Sequence, residues 1–480
     1  MRTLPLLAAG SLLAACATTS IEDADEMARD ELPDLPAAWA QDASSADVQF
    51  GWIDQIGDPQ LSKLVRIAQQ NNQDVRIALA NVERSRALLV QAGADRFPEV
   101  LGTASADATG LTSDGGTLSR SSFAGFSVSW EVDVWGRIRT GRQANVASFL
   151  SAEEDLRFSR YSIAAQVAQT YFAAIEAYRQ AEVTASTLAA LRETDRIVRT
   201  RFEEGEATAE DTALSQTDVA STAASLAVNR ASYRTAVRAL EVLLNEYPAS
   251  KLVVRKTFPD VPPPPAAGLP SDLLERRPDI LSASRRVAVA ANFVSQARAA
   301  RLPSITLTGS YGGSSSVGAG GLSNSLALEE MLWSAVGELV GPIFDAGERK
   351  AQVDIERADL DAALAEYVQT ALSAFEEVES SLDRNAAFAQ QVASLVEAAE
   401  ASEKAFSLAL FRYREGETDL VDVLDIRQRV LSSESNLAAA RRSRLDEWIA
   451  LNLALGGAFF DPNKDKTLNN SQALKDELRP

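Results

Sequence analysis

The stretch Arg412-Tyr413-Arg414-Glu415-Gly416-Glu417-Thr418-Asp419-Leu420-Val421-Asp422-Val423-Leu424-Asp425 has a counterpart 211 residues earlier, Arg201-Phe202-Glu203-Glu204-Gly205-Glu206-Ala207-Thr208-Ala209-Glu210-Asp211. Each reads as a tight turn. Each holds the only Gly in a long tract otherwise free of Gly and Pro, the residues that most often interrupt secondary structure. Residues 142–204 and 206–247 give uninterrupted runs of 63 and 42 residues around Gly205, and 348–415 and 417–455 give 68 and 39 around Gly416. A left-handed Gly ends one helix, and Thr208 or Asp419 suits the N-cap of the next, with Asp211 or Asp422 in a capping-box-like place. Two long helical hairpins are expected. At about 1.5 Å per residue, a fully helical 63-residue limb reaches roughly 95 Å, several times the width of a compact domain.

Working outward, Val167, Tyr171, Ala174, Tyr178, Ala181, Ala185 and Leu188 alternate steps of four and three, a seven-residue repeat, and Leu364, Val368, Ala371, Phe375, Val378 and Leu382 step likewise. Helices this long need partners, and the small Ala positions let neighbours approach closely. Upstream of each hairpin the pattern repeats again. Arg301-Leu302-Pro303-Ser304-Ile305-Thr306-Leu307 aligns with Arg96-Phe97-Pro98-Glu99-Val100-Leu101-Gly102 at an offset of 205.

Helical spacing runs from Asp58 to Ala94 and from Leu273 to Arg301. Strand alternation follows each. Residues 99–109 alternate weakly, and Phe126, Val128, Trp130, Val132 and Val134 alternate clearly with Ser127, Ser129, Glu131 and Asp133. Ile305, Leu307, Gly309 and Tyr311 alternate with Thr306, Thr308 and Ser310, and a fourth strand is expected near Leu332 to Phe344, where Pro342 should stop it. Gly/Ser/Thr-rich loops, Gly110 to Ser122 and Gly312 to Ser325, join the two hairpins' strands. The apolar face of such strands meets either a core or lipid, and periodicity alone does not separate the two. One unit has been duplicated: helix, β-hairpin, long helical hairpin.

The expected division is a signal peptide, 1–15; a lipidated extended leader, 16–57; and a first repeat, 58–257, holding a β-hairpin at 97–135 and a long helical hairpin at 137–247. A Pro-rich linker, 258–270, leads to a second repeat, 271–460, with a β-hairpin at 303–345 and a long helical hairpin at 346–456, before a polar tail, 461–480. The leader is acidic and carries Pro33 and Pro36, so it reads as extended.

Composition narrows the function. The chain of 480 residues has a formal charge of −20 and no basic stripe to neutralise phosphates, which disfavours a nucleic-acid partner. It has no His, which removes the commonest general base and a common metal ligand. Cys16 is the only Cys, so an intramolecular disulfide is impossible. Its place explains it: Arg2, then an apolar stretch from Leu4 to Ala15, then Leu13-Ala14-Ala15-Cys16, which resembles a bacterial lipobox with Cys16 as the lipidated residue. Ala17 rather than Asp in the next position points to outer-membrane delivery, by similarity to enterobacterial lipoproteins. No later run reaches the ~18 apolar residues of a spanning helix, so any further membrane contact is a β-barrel or a surface helix. Four strands cannot close a barrel, which takes about eight, so a membrane role requires several chains to share one.

The lipobox, Gly51-Trp52 with Asp58-Pro59-Gln60-Leu61, the run Leu269 to Ile280, and Tyr413 and Gly416 leading into Leu420-Val421-Asp422-Val423-Leu424-Asp425 together resemble the outer-membrane efflux family of TolC and OprM, the lipidated NodT-type branch in particular. The resemblance covers nearly the whole mature chain. It implies a mainly α fold with a small β part: long α-helical hairpins forming a periplasmic α-barrel, and four strands contributing to a trimeric 12-stranded transmembrane β-barrel. It implies no catalysis and no cofactor. The implied partners are two more copies of the chain, a periplasmic membrane-fusion adaptor, an inner-membrane resistance-nodulation-division transporter and outer-membrane lipid. Carried over by position, Val421, Asp422 and Asp425 line a periplasmic aperture, and Arg201, Phe202, Gly205, Arg412, Tyr413 and Gly416 form the tips that meet the adaptor. Locally, the acids also suit a helix N-terminus and the two Gly suit turn geometry. TolC carries an Arg where this chain has Thr418. The expected function is an export duct for drugs or other small toxic compounds. The alternatives are a type I secretion duct and a lipid-anchored coiled-coil scaffold or adaptor whose strands form a soluble β-domain.

Overall fold

A computed structural model of the protein describes residues 19–41, 44–46, 48–110, 118–316 and 331–459. The lipobox and Cys16, the loop tips and the C-terminal tail lie outside the described residues. The elements are α1 (Ile21–Asp30), α2 (Trp52–Gln55), α3 (Pro59–Asn71), α4 (Gln73–Ala94), β1 (Glu99–Gly110), β2 (Leu118–Glu131), α5 (Arg137–Glu203) and α6 (Ala209–Leu243). The second half supplies α7 (Pro270–Arg276), α8 (Pro278–Ala299), β3 (Ser304–Ser316), β4 (Met331–Val340), α9 (Glu348–Arg414) and α10 (Leu420–Ala454).

The duplication survives in the lengths. Helices α5 and α9 each run 67 residues, and α6 and α10 each run 35. Between the members of each pair the offset is 211, the offset of the two turns. No described helix is long and apolar enough to cross a membrane.

Two compact units emerge, and each draws on both repeats. The first comprises the described residues of Met1–Pro33, Ala80–Glu154 and Ile280–Thr370. Its centre is a four-stranded antiparallel sheet in the order β1-β2-β3-β4, so strands from both repeats pair through β2 and β3. Register aligns Phe126 with Tyr311 and Tyr311 with Trp333, an aromatic row, while the next row aligns Ser127 with Ser310 and Ser310 with Ser334. The Ser310 and Ser334 hydroxyls lie 2.8 Å apart. Alternation therefore yields one apolar face and a second face that is mostly Ser and Thr along β2 and β3 but carries Leu332, Val336 and Val340 on β4.

The strands are longer than their sequence pattern predicts. Leu118 to Ser122 and Gly312 to Ser316, expected as loop, are ladder: Leu118 pairs with Gly110, and Ser121 with Ser316. Ser and Gly are poor strand formers, but backbone pairing carries them: Leu118 to Arg120 pair with β1 and Ser314 to Ser316 with β2. β4 ends at Val340, ahead of Pro342, as the missing donor of Pro requires.

The leader is not extended throughout. Ser20 caps α1 in a capping box with Asp23, Ala24 and Ala28 are buried, and Asp25 receives both the Ser284 hydroxyl and the Arg285 guanidinium of α8, the latter at 2.9 Å. A helix forms because the stretch has a docking partner, which local composition does not record.

The second unit, Asp34–Leu79, Asp155–Asp279 and the described part of Ala371–Pro480, is helical. Its core packs Trp52 edge-on to Trp448, with ring centroids 6.1 Å apart, among Tyr171, Phe172, Ile175, Leu240 and Leu445. Two helices expected as continuous are broken. Asn72 is extended and its side-chain oxygen accepts from the N–H of Asp74 at 2.8 Å, which ends α3 and starts α4. Arg277 is held extended by the following proline, ψ 120°, and its guanidinium binds Asp279 at 2.9 Å and Glu377 at 2.6 Å. Apolar spacing runs through both breaks and so concealed them.

Candidate functional site

Both turns lie in the second unit. At the first, the N–H of Glu206 donates to the Arg201 carbonyl at 2.7 Å and that of Gly205 to Phe202 at 3.1 Å. At the second, Glu417 donates to Arg412 at 2.9 Å and Gly416 to Tyr413 at 3.1 Å. These are Schellman closures, and both Gly are left-handed, φ +85° and +77°. The caps of the following helices differ. Thr208 forms the expected capping box with Asp211, their backbone and side-chain bonds being 2.8 and 3.1 Å. Asp419 occupies the N-cap position but its side chain makes no cap bond; the Thr418 hydroxyl instead donates to Asp422 at 2.7 Å.

Of the six tip residues, the structure brings three together. The Arg201 guanidinium lies 4.8 Å over the Tyr413 ring and donates to the Tyr413 carbonyl, and the place a Gly416 side chain would occupy is 3.8 Å from it. Tyr413 is 4% exposed and joins Val198, Phe406, Leu420, Val423 and Val430 in a small core. Burial pushes its phenol pKa up, against the opposing charge of Arg201. Phe202 and Arg412 stay outside this core, with Phe202 46% exposed. Gly205 faces open space.

On α10 the periodicity sorts residues cleanly. Leu420, Val423, Arg427 and Val430 face inward, while Val421, Asp422 and Asp425 share the exposed face. The chain therefore holds two carboxylates and one apolar side chain together, uncovered, one turn from the Gly416 closure.

Arg427 escaped the sequence reading. It is buried, donates to the Thr187 hydroxyl of α5 at 3.0 Å, lies 4.8 Å over the Phe406 ring of α9 and reaches Glu403 at 3.5 Å. Burial lowers its pKa while Glu403 and Glu434 raise it. Its counterpart in the first repeat, Gln216, is exposed, so neither repeat symmetry nor composition marked it.

The other functional surface is the sheet. Val100, Phe126, Val128, Leu307, Tyr311, Trp333 and Leu339 are exposed along its apolar face, and β1 and β4 each pair on one side only among the described residues. Exposed apolar area on this scale marks an interaction with lipid or protein.

The family model described as outer membrane efflux protein matches residues 64–246 and 269–457. The chain is 32% identical over 412 residues to the solvent efflux pump outer membrane protein SrpC of Pseudomonas putida, covering 84% of this chain and 86% of that one. It is 31% identical over 450 residues to the outer membrane protein OprJ of Pseudomonas aeruginosa, covering 89% and 92%. Its fold is similar to the solved outer-membrane channel OprN, with a TM-score of 0.81 and 30% identity over 89% of this chain and 99% of that one.

Proposed function

We propose that this chain, which belongs to the outer membrane efflux protein family, works as a homotrimeric export duct that passes drugs or other small toxic compounds through the outer membrane. Its place in the outer membrane and its role in efflux are those of the family. The observation that supports the trimer is the sheet: four strands, an apolar face and, among the described residues, two open edges. Three such sheets closed edge to edge make twelve strands, enough for a lumen, with Ser and Thr inward and Phe126, Tyr311 and Trp333 toward lipid. Closure also satisfies the unpaired strand edges that lipid would not tolerate.

Transport through such a duct needs no bond chemistry; it needs a shaped, wet path and a gate. Asp422, Asp425 and Val421 supply the gate in this reading. Repeated about a threefold axis, the carboxylates repel one another and draw cations, while Val421 narrows the path. Arg201, Phe202, Gly205, Arg412, Tyr413 and Gly416 present the turns to a periplasmic adaptor, which links the duct to an inner-membrane transporter. Cys16 carries the lipid that adds a second hold on the outer membrane, at about 0.8 kcal/mol per buried methylene.

The test is single-channel conductance of the purified protein in a planar bilayer. Wild type should give discrete cation-selective steps, and Asp422→Asn with Asp425→Asn should change the conductance of the closed tip and lose cation preference. Unchanged conductance and selectivity would remove the aperture assignment. Silence from both proteins would favour the scaffold.

A further inference from the structure

The base of the sheet carries a charge pattern that export does not use. Just past β4 a recess of about 180 Å³ is lined by Arg301, Arg349 and Lys350, with Asp345 as its one carboxylate and Ile343 and Phe344 on its rim. Three cations against one acid stand out in a chain of net charge −20.

Asp345 offsets only one of them, and weakly. Its oxygens accept the N–H of Gly347 at 3.0 Å and of Arg349 at 3.4 Å, which start α9, and the Arg349 Nε lies 3.9 Å away. Arg349 also donates to the Ala300 carbonyl. Arg301 and Lys350 are exposed and have no ion-pair partner among the described residues. In the first repeat Arg137, at the place of Glu348, holds Glu131 through two bonds, 3.1 and 2.7 Å, while Arg96 and Arg139, at the places of Arg301 and Lys350, are exposed.

The apolar half of the pattern is equally definite. Ile343 and Phe344 are almost wholly exposed, a few residues after Leu339 of the apolar strand face. Two tryptophans mark the level. Trp135 donates its indole N–H to the Pro303 carbonyl at 2.6 Å and Trp130 to that of Arg96 at 3.0 Å, so each ring is tied by its polar end at the foot of the strands. Amphipathic rings of this kind belong at a membrane–water boundary. A ligand for this place needs a phosphate for Arg301, Arg349 and Lys350 and hydrocarbon for Ile343 and Phe344.

We infer that the recess formed by Arg301, Arg349 and Lys350 beside Ile343 and Phe344 binds the headgroup phosphate of an anionic phospholipid in the periplasmic leaflet. The inference rests on the strands lying in the outer membrane. Guanidinium and ammonium groups hold phosphate oxygens by charge-assisted hydrogen bonds, and the apolar pair takes the acyl chains that a free phosphate lacks.

The experiment is native mass spectrometry of the full-length protein in detergent, titrated with dioleoyl phosphatidylglycerol or phosphatidylcholine. Wild type should retain phosphatidylglycerol saturably and in preference, and lose it as salt rises. Arg301→Gln with Lys350→Gln should weaken that binding roughly tenfold or more, at about 1 kcal/mol per cation near a membrane surface. Arg230→Gln with Arg234→Gln, exposed cations of α6, should leave it unchanged. Equal retention of the two lipids, insensitivity to salt, or wild-type binding by the Arg301/Lys350 variant would overturn the inference. So would glycerophosphoglycerol binding as tightly as the intact lipid, since that marks a site for soluble phosphate. Should the variant fail to fold, the lipid preference and salt response of wild type still decide. Conductance of the same preparations reports separately on the channel.

Discussion

At Gly205 the chain reverses with the Glu206 N–H on the Arg201 carbonyl, and at Gly416 it does so with the Glu417 N–H on that of Arg412. The ion pairs match too: Arg201 to Glu206 and Arg412 to Glu417 are both 3.7 Å. Their surroundings do not. Tyr413 of the second turn is buried under Arg201 of the first, whereas the corresponding Phe202 and Arg412 remain in the open. The helices that follow diverge in the same sense. Asp425 and Arg427 of α10 stand where α6 has Leu214 and Gln216. A duplicated motif keeps its local geometry because that geometry is made of its own backbone bonds, and loses equivalence wherever the second partner is a different side chain.

The largest contrast should come from the aromatic pair. Tyr413→Ala empties a packed site and should destabilise the tip by about 3 kcal/mol, while Phe202→Ala should change it by less than about 0.5 kcal/mol. Hydrogen exchange of the amides around residues 406–424 would report the difference, and equal effects would dissolve the asymmetry.

Next comes a pH effect confined to α10. Burial, offset by Arg442 at 3.0 Å and assisted by Glu176 and Glu447, raises the Asp446 carboxyl to about 6. Arg384 sits on Glu447 at 3.1 Å and completes the charges of the cluster. The folded-state value lies above the unfolded one, so the folded chain keeps a proton that the unfolded chain releases. Stability should therefore fall by about 2–3 kcal/mol as pH rises from about 4 to 6, and stay flat above. Asp446→Asn should remove that slope in thermal unfolding followed across pH. Thr235, the counterpart on α6, is exposed and has nothing to titrate.

A smaller difference separates the two arginines. Arg201→Ala removes a ring contact and a carbonyl bond and should cost about 1–2 kcal/mol, against about 0.5 kcal/mol or less for the exposed Arg412→Ala, read by limited proteolysis at the turns. The glycines should behave alike. Gly205→Ala and Gly416→Ala each place a side chain at positive φ for about 1 kcal/mol, since neither site is crowded. Unequal losses would mean that one turn is held by more than its own closure.

Several features were legible because they depend on nearest neighbours. The Gly closures, the Thr208 cap and the stop of β4 before Pro342 each follow from one residue's backbone preference. The break at Arg277 was legible in principle from Pro278, yet apolar periodicity outweighed it. The α1 helix, the longer strands and the buried Arg427 were not legible, since each is stabilised by residues far away in sequence: Arg285 for α1, the paired strand for Leu118 to Ser122, and Thr187 with Phe406 for Arg427.

By itself, the sequence determined the duplication, the two long helical hairpins, the four alternating strands and the family, because periodicity, Gly and Pro act within a few residues of themselves. Only the tertiary structure decided that Tyr413 is buried and Phe202 is not, that Asp422 and Asp425 share an uncovered face with Val421, and that Arg301, Arg349 and Lys350 meet at the foot of the sheet. Those outcomes depend on which elements pack together, and a side chain's burial and charge environment exist only once they have.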